Sequence, residues 1–238
     1  MKKLFLVLLP LVPLSSFAQL AAKTEEFWPE VNVFYKFNDN FRLFGTASGT
    51  KQQTSYSEGA IGVFLDYFTY PFIKFLRPNH NENLPKKYLW LRVGYQYSRS
   101  PPEAENPFHE NTFVTEANGR FDLGWDILMT VKNRFDWRFK TDGFFVRYRP
   151  RIGIEKDFHT EYLFFTPSLF GEFFGNFGNS SINKFRTQLA VEIKVARKIA
   201  YETYWNHQFS NSPEVSKVDA YGMVLKFYFA RNTEKNKQ

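Results

Sequence analysis

The stretch Ile127–Phe173, ILMTVKNRFDWRFKTDGFFVRYRPRIGIEKDFHTEYLFFTPSLFGEF, decides the fold, because two unlike sequences are interleaved in it. One alternate set is Ile127, Met129, Val131, Phe135, Trp137 and Phe139, broken only by Asn133; the other is Thr130, Lys132, Arg134, Asp136 and Arg138. After a hairpin-type turn, Lys140-Thr141-Asp142-Gly143, the pattern resumes. Phe144, Val146, Tyr148, Pro150, Ile152 and Ile154 now alternate with Arg147, Arg149, Arg151 and Glu155. A period of two marks strands with unlike faces. Here one face carries bulky rings and the other carries full charges. A soluble β-fold turns such rings into its core and the charges to water. A transmembrane barrel does the reverse, with lipid outside and a polar lumen within.

The remainder of the chain favours the second arrangement. Aromatic residues make up 20% of the 238 residues, with 29 Phe and 13 Tyr, yet the alternate positions are polar enough to keep the mean hydropathy negative. That combination fits strands of which only one face meets hydrocarbon. The chain opens Met1-Lys2-Lys3, followed by an apolar run Leu4–Leu14 and then Ser15-Ser16-Phe17-Ala18. A basic start, an apolar core and a small-x-small end read as a secretory signal peptide, residues 1–18, cleaved after Ala18. Its apolar core is too short to span a bilayer, which takes roughly 20 residues. No later run is long enough for a transmembrane helix. There is no cysteine, which excludes disulfides and a lipid-modified mature N-terminal Cys. The formal charge of +7 falls to about +5 once Lys2 and Lys3 leave. So modest a surplus fits a solvated surface without a partner better than attraction to anionic lipid headgroups, and no nucleic-acid partner is expected.

Taken in order, the alternation predicts strands over residues 30–38, 41–50, 56–67, 88–98, 112–123, the two strands and turn quoted above, a strand through Leu163–Phe173, and strands over 185–195, 199–210 and 218–229. Each is near the 9–11 residues that a tilted membrane strand needs. From the fourth strand on, longer loops (Ser100–Asn111, Gly175–Asn183, Asn211–Lys217) alternate with shorter connections near Trp125 and Val195–Lys198. That makes eleven strands, whereas bacterial outer-membrane barrels have an even number. We therefore expect about twelve, with Phe68–Leu76 as the twelfth, and ten as the alternative. The expected fold is all-β: a single antiparallel transmembrane β-barrel over residues 19–230, followed by a polar tail, 231–238.

Four stretches resemble the uncharacterised outer-membrane family called domain of unknown function 2490. They are the early Trp28, the run Arg147-Tyr148-Arg149-Pro150-Arg151-Ile152-Gly153, the strand TPSLFGEFF with Glu172, and Phe185-Arg186 at the start of the following strand. The resemblance covers most of the mature chain. It implies an outer-membrane barrel and brings no catalytic residues with it.

For an enzyme, His207 is the histidine to consider, with Asn206 beside it and Ser210 or Ser168 as nucleophile, since triads are recognised by geometry. No nucleophile motif accompanies them, and an interfacial histidine is the better reading. No metal-ligand spacing, phosphate-binding loop or other cofactor motif is present. The expected lumen network comprises Arg134, Asp136, Arg138, Arg147, Arg149, Arg151, Glu155, Glu172, Arg186, Glu192 and Glu202. Enclosed charges must pair, and this set can largely pair itself.

The reading is thus a non-enzymatic protein of the Gram-negative outer membrane, structural or a narrow, largely plugged, porin-like pore. Its expected partners are outer-membrane lipid and lipopolysaccharide, with the barrel assembly machinery during insertion. Two alternatives are a lipid- or lipopolysaccharide-modifying enzyme and a soluble periplasmic lipid-binding barrel.

Overall fold

The computed structural model describes residues 23–52, 55–69, 89–104, 107–161, 163–177, 182–211 and 216–231. The expected signal peptide, the segment Tyr70–Lys87 and nearly all of the expected tail lie outside these. The described residues form one sheet: β1 (Lys23–Lys36), β2 (Phe41–Gln52), β3 (Ser55–Thr69), β4 (Leu89–Arg99), β5 (His109–Asp122), β6 (Ile127–Lys140), β7 (Gly143–Lys156), β8 (Phe158–His159), β9 (Phe164–Phe177), β10 (Ile182–Ala196), β11 (Ile199–Ser210) and β12 (Lys217–Ala230).

The sheet closes on itself. Each strand pairs antiparallel with its neighbour in sequence, β7 pairs with β9, and β1 meets β12 in parallel over the whole register Lys23↔Lys217 to Lys36↔Ala230. Eleven strands make the wall, and the twelfth strand of the sheet is β8, a two-residue addition to the edge of β9. An odd number of up-and-down strands leaves the first and last pointing the same way, so closure requires one parallel seam. The seam accommodates eleven strands, an odd count that departs from the even number of bacterial outer-membrane barrels. The expected strand at Phe68–Leu76 falls mostly outside the described residues; its first two residues continue β3.

Several boundaries differ from those expected. β1 starts at Lys23 rather than near Glu30, because parallel pairing with Lys217–Met223 holds the polar residues Lys23–Glu26 extended. Likewise β5 starts at His109, since Arg99↔His109 extends the β4 ladder. The longer loops and short turns expected from the fourth strand on fall at opposite rims, except that the two-residue turn between β6 and β7 shares the rim of the longer loops. The β3–β4 connection is a long one on the side of the short turns. The loops after β4, β9 and β11 lie at the rim where β1 begins, which we call the N-terminal rim. The short turns after β5 and β10 lie at the opposite, C-terminal rim. Gly124, Trp125 and Asp126 make the first of these turns with φ of +82°, +55° and +61°. A left-handed conformation is unfavourable for a tryptophan. Trp125 is 86% exposed, and no packing of described residues against its ring offsets this.

Strand alternation gives the barrel its two faces. The outward positions are apolar: Val31, Val33, Ile61, Val63, Val93, Ile152 and Leu189 surround the middle of the wall. Outward rings are frequent toward the rims, with Phe113, Phe139, Phe144, Phe177 and Tyr221 on the N-terminal side and Tyr35, Phe37, Phe41, Tyr67 and Phe229 on the other, while Tyr95 and Trp205 sit mid-strand opposite Val63 and Leu189. Inward positions are charged, small or aromatic. Asp66, Asp136 and Glu172 are all 0% exposed.

Inward rings are accommodated by inward glycines on the neighbouring strand. Phe64 lies across Gly94, and Tyr204 across Gly222, each pair directly opposed in the ladder. A Cβ at either glycine would overlap the ring. A residue without a side chain is needed there for contact, not for backbone freedom.

Candidate functional site

The lumen charges are arranged by register. One row of directly opposed residues crosses five strands as Arg42, Asp66, Arg92, Glu116 and Arg134, changing sign at every step. Opposite charges on adjacent strands attract, and like charges so placed repel. Asp66 receives Arg42 at 2.7 Å and Arg92 at 2.6 Å. Glu116 takes Lys132 at 3.2 Å. The row ends where Arg134 faces Arg149, two like charges side by side. Asp136 bridges them, with Arg134 at 2.5 Å, Arg149 at 3.5 Å and Arg147, its own cross-strand partner, at 2.8 Å.

Glu172 is the second hub. Register sets it between Arg151 on β7 and Arg186 on β10. Their guanidinium nitrogens lie 3.3 and 3.7 Å away, and Arg149 approaches diagonally to 3.0 Å. One carboxylate thus serves three arginines, and Arg149 links it to the Asp136 hub. Several other lumen charges form separate pairs. Arg138 reaches Glu110 at 2.5 Å, Arg120 pairs with Glu155, and Lys226 holds both Glu192 at 2.6 Å and Glu202 at 2.7 Å. Among the residues expected in the lumen network, Arg134, Asp136, Arg147, Arg149, Arg151, Glu172 and Arg186 therefore meet in one connected cluster. Arg138, Glu155 and the pair Glu192/Glu202 stand apart from it.

Sequence reasoning passed over Asp66, Arg42, Arg92, Glu110, Lys132 and Lys226 as site residues, although each sits at a polar position of its strand. The signal was the alternation itself. What it lacked was register, which tells which strands' charges face one another. It also passed over the lumen rings. Arg151 lies 3.8 Å from the Phe170 ring centroid, Arg92 4.4 Å from Phe44, Arg42 4.7 Å from Phe34 and Arg186 4.8 Å from Trp28. A guanidinium within about 6 Å of a ring face is attracted to its quadrupole. These rings fill space beside the arginines and satisfy the guanidinium faces that no carboxylate reaches.

The serine–histidine–asparagine constellation does not form. His207 points outward, and its Nδ1 hydrogen-bonds Asp219 across β12, while Asn206 points into the lumen at 1% exposure. Adjacent residues of a strand face opposite ways, so the two side chains lie on opposite sides of the wall. His159 is in β8 and His109 begins β5. His80 lies outside the described residues. No group of three His, Cys, Asp or Glu able to hold a metal ion occurs among the described residues.

A family described as a protein of unknown function, DUF2490, matches residues 25–219. The chain belongs to the DUF2490 family. No curated protein and no solved structure matches it. For this DUF2490 member the match begins in β1, two residues before the outward Phe27, and ends in β12 at Asp219. Every strand of the closed wall therefore lies within the matched region or is entered by it.

Proposed function

We propose that the chain is an integral outer-membrane β-barrel without enzymatic activity, acting as a structural element or as a narrow pore largely plugged by its own arginine–carboxylate network. The carrying observation is the outer wall. Its outward residues are aliphatic side chains and aromatic rings while the charges are enclosed, the pattern of barrels immersed in lipid.

Polar outward side chains support the same reading, because they are satisfied by one another. Tyr148 donates to Asn133 at 2.6 Å, Trp137 Nε1 to Thr115 at 3.1 Å, and Tyr95 to Asn111. Hydrocarbon offers no hydrogen-bond partner, so an outward polar group there needs one from the protein. Asn133, the one interruption in the apolar face of β6, is thus explained by the hydroxyl opposite it.

The lumen argues against a soluble lipid-binding barrel, which needs an apolar cavity; this interior is lined by ion pairs. Fractionation with an unboiled and a boiled gel tests the proposal. The mature protein should extract with detergent from the outer-membrane fraction and migrate differently before and after boiling. Recovery in the aqueous fraction without detergent would contradict it.

A further inference from the structure

The wall formed by β10, β11, β12 and β1–β3 encloses a cavity of about 340 Å³ that opens toward the N-terminal rim. We infer that this cavity is a binding site for a zwitterionic amine carrying surplus positive charge, that is, a basic amino acid or a short basic peptide. Its floor is made by Trp28, Tyr204 and Arg186. Beneath Arg186 lies Glu172 with its arginines. The cavity is therefore a closed-ended vestibule above the ion-paired network.

The distribution of charge identifies the ligand class. Glu26, Glu30 and Glu58 line the vestibule, and none of them forms an ion pair among the described residues. Their partners are neutral: Trp28 and Gln52 for Glu26, Asn32 for Glu30, and Ser98 for Glu58. Apart from Asp122, which accepts from the Gly124 N–H at the C-terminal rim, the other lumen-side carboxylates of the described residues each bridge to an arginine or lysine. Among the described residues, enclosed carboxylates without an ion pair thus gather beside this cavity. The opposite wall contributes Lys184, an exposed lysine at the mouth with no hydrogen bond or ion pair among the described residues. An enclosed charge is retained at a cost unless something pairs with it. With Arg186 of the floor engaged by Gln208 and Glu172, three acceptors of an ammonium group face Lys184, the one lining cation left for a carboxylate, which is the complement of lysine's two ammonium groups and one carboxylate. The volume equals that of about ten waters, room for one such molecule.

The inference rests on the lumen and holds wherever the barrel resides, so its test uses purified full-length protein in detergent micelles. Titration calorimetry at low salt, with L-lysine as probe, should show saturable binding, and L-glutamate should show none. Nα-acetyl-L-lysine, lacking one ammonium group, should bind about tenfold more weakly, the loss expected for one charge-assisted hydrogen bond. Glu30→Gln/Glu58→Gln should weaken lysine by a similar factor. Lys184→Met should weaken L-lysine but leave L-lysine amide, which has no carboxylate, unchanged. Each variant is first checked for the boiled-versus-unboiled mobility shift, and the comparison of probes on the unaltered protein stands even if a variant fails that check. No saturable lysine signal from protein that shows the shift, equal affinity for lysine and glutamate, or an equal effect of Lys184→Met on lysine and its amide would each overturn the assignment.

Discussion

Replacing Glu172 with glutamine keeps the shape of the side chain and removes the charge at the point where three arginines meet. Glu172 is inaccessible to solvent, and its oxygens lie 3.0, 3.3 and 3.7 Å from Arg149, Arg151 and Arg186. At an effective dielectric of about 20 each contact contributes roughly 4–6 kcal/mol of attraction. Most of that is offset by the desolvation of the four groups. The loss on removing one partner of a buried pair is nonetheless about 3–5 kcal/mol, because the other charges stay enclosed and uncompensated. Arg149 keeps Asp136 at 3.5 Å, but Arg151 and Arg186 have no second carboxylate within ion-pair distance among the described residues, so the upper half of that range is expected here. Glu155→Gln provides the control. Its bond to Arg120 joins side chains that are 35% and 28% exposed, and its loss should cost at most about 1 kcal/mol. Equilibrium urea unfolding of both variants in lipid vesicles, followed by tryptophan fluorescence, measures the difference. Equal losses in the two variants would mean that water already screens the Glu172 cluster, and the plugged lumen would have to be abandoned.

Other consequences concern packing, chemistry and topology. Gly222→Ala drives a methyl group into the Tyr204 ring, which packs beside Ala190, Val224 and Trp28; overpacking of this kind should destabilise the barrel by about 1–3 kcal/mol in the same urea assay. Gly94→Ala, opposite Phe64, should behave alike, whereas Gly59→Ala, with open space at its Cβ, should be nearly neutral. His207→Ala should leave phospholipid hydrolysis in mixed micelles at the level of the unaltered protein, since His207 and Asn206 lie on opposite faces of the wall; a His207-dependent activity would revive the enzyme reading. Because the seam of β1 and β12 is parallel, the chain enters and leaves at opposite rims. Epitope tags placed before Lys23 and after Arg231 should therefore differ in protease sensitivity on intact cells, one cleaved and the other protected. Identical behaviour of both tags would contradict closure by eleven strands.

The fold was legible from residues 127–173 because a period of two survives any error in strand boundaries. Arg134, Asp136 and Arg138 share a face whether β6 begins at Ile127 or two residues later. Its ends were less so. Lys23–Glu26 look like a polar leader and become strand only through pairing with Lys217–Ala220, nearly 200 residues away. The parallel seam has no local signal at all, so a rule about even strand numbers took its place. In the lumen, parity alone identified Glu172 and its arginines as facing the same way. The hub at Asp66 was missed because Arg42, Asp66 and Arg92 sit on three strands that the alternation ranks equally, and only the register joins them. The inward rings Phe44, Phe64 and Tyr204 were hidden for another reason. An aromatic residue at a polar position reads as noise until the opposing glycine or guanidinium is known.

The most direct test of the outward-facing rings and enclosed charges uses the chain's own tryptophans, Trp28, Trp90, Trp125, Trp137 and Trp205. Trp137 and Trp205 are 37% and 41% exposed on the outer wall. Trp28 and Trp90 face the lumen beside Arg186 and Arg120. Single-tryptophan variants reconstituted into vesicles with brominated acyl chains should show strong quenching of Trp137 and Trp205 and little of Trp28 and Trp90. Quenching of the lumen pair to the same extent, or none of the outer pair, would contradict it.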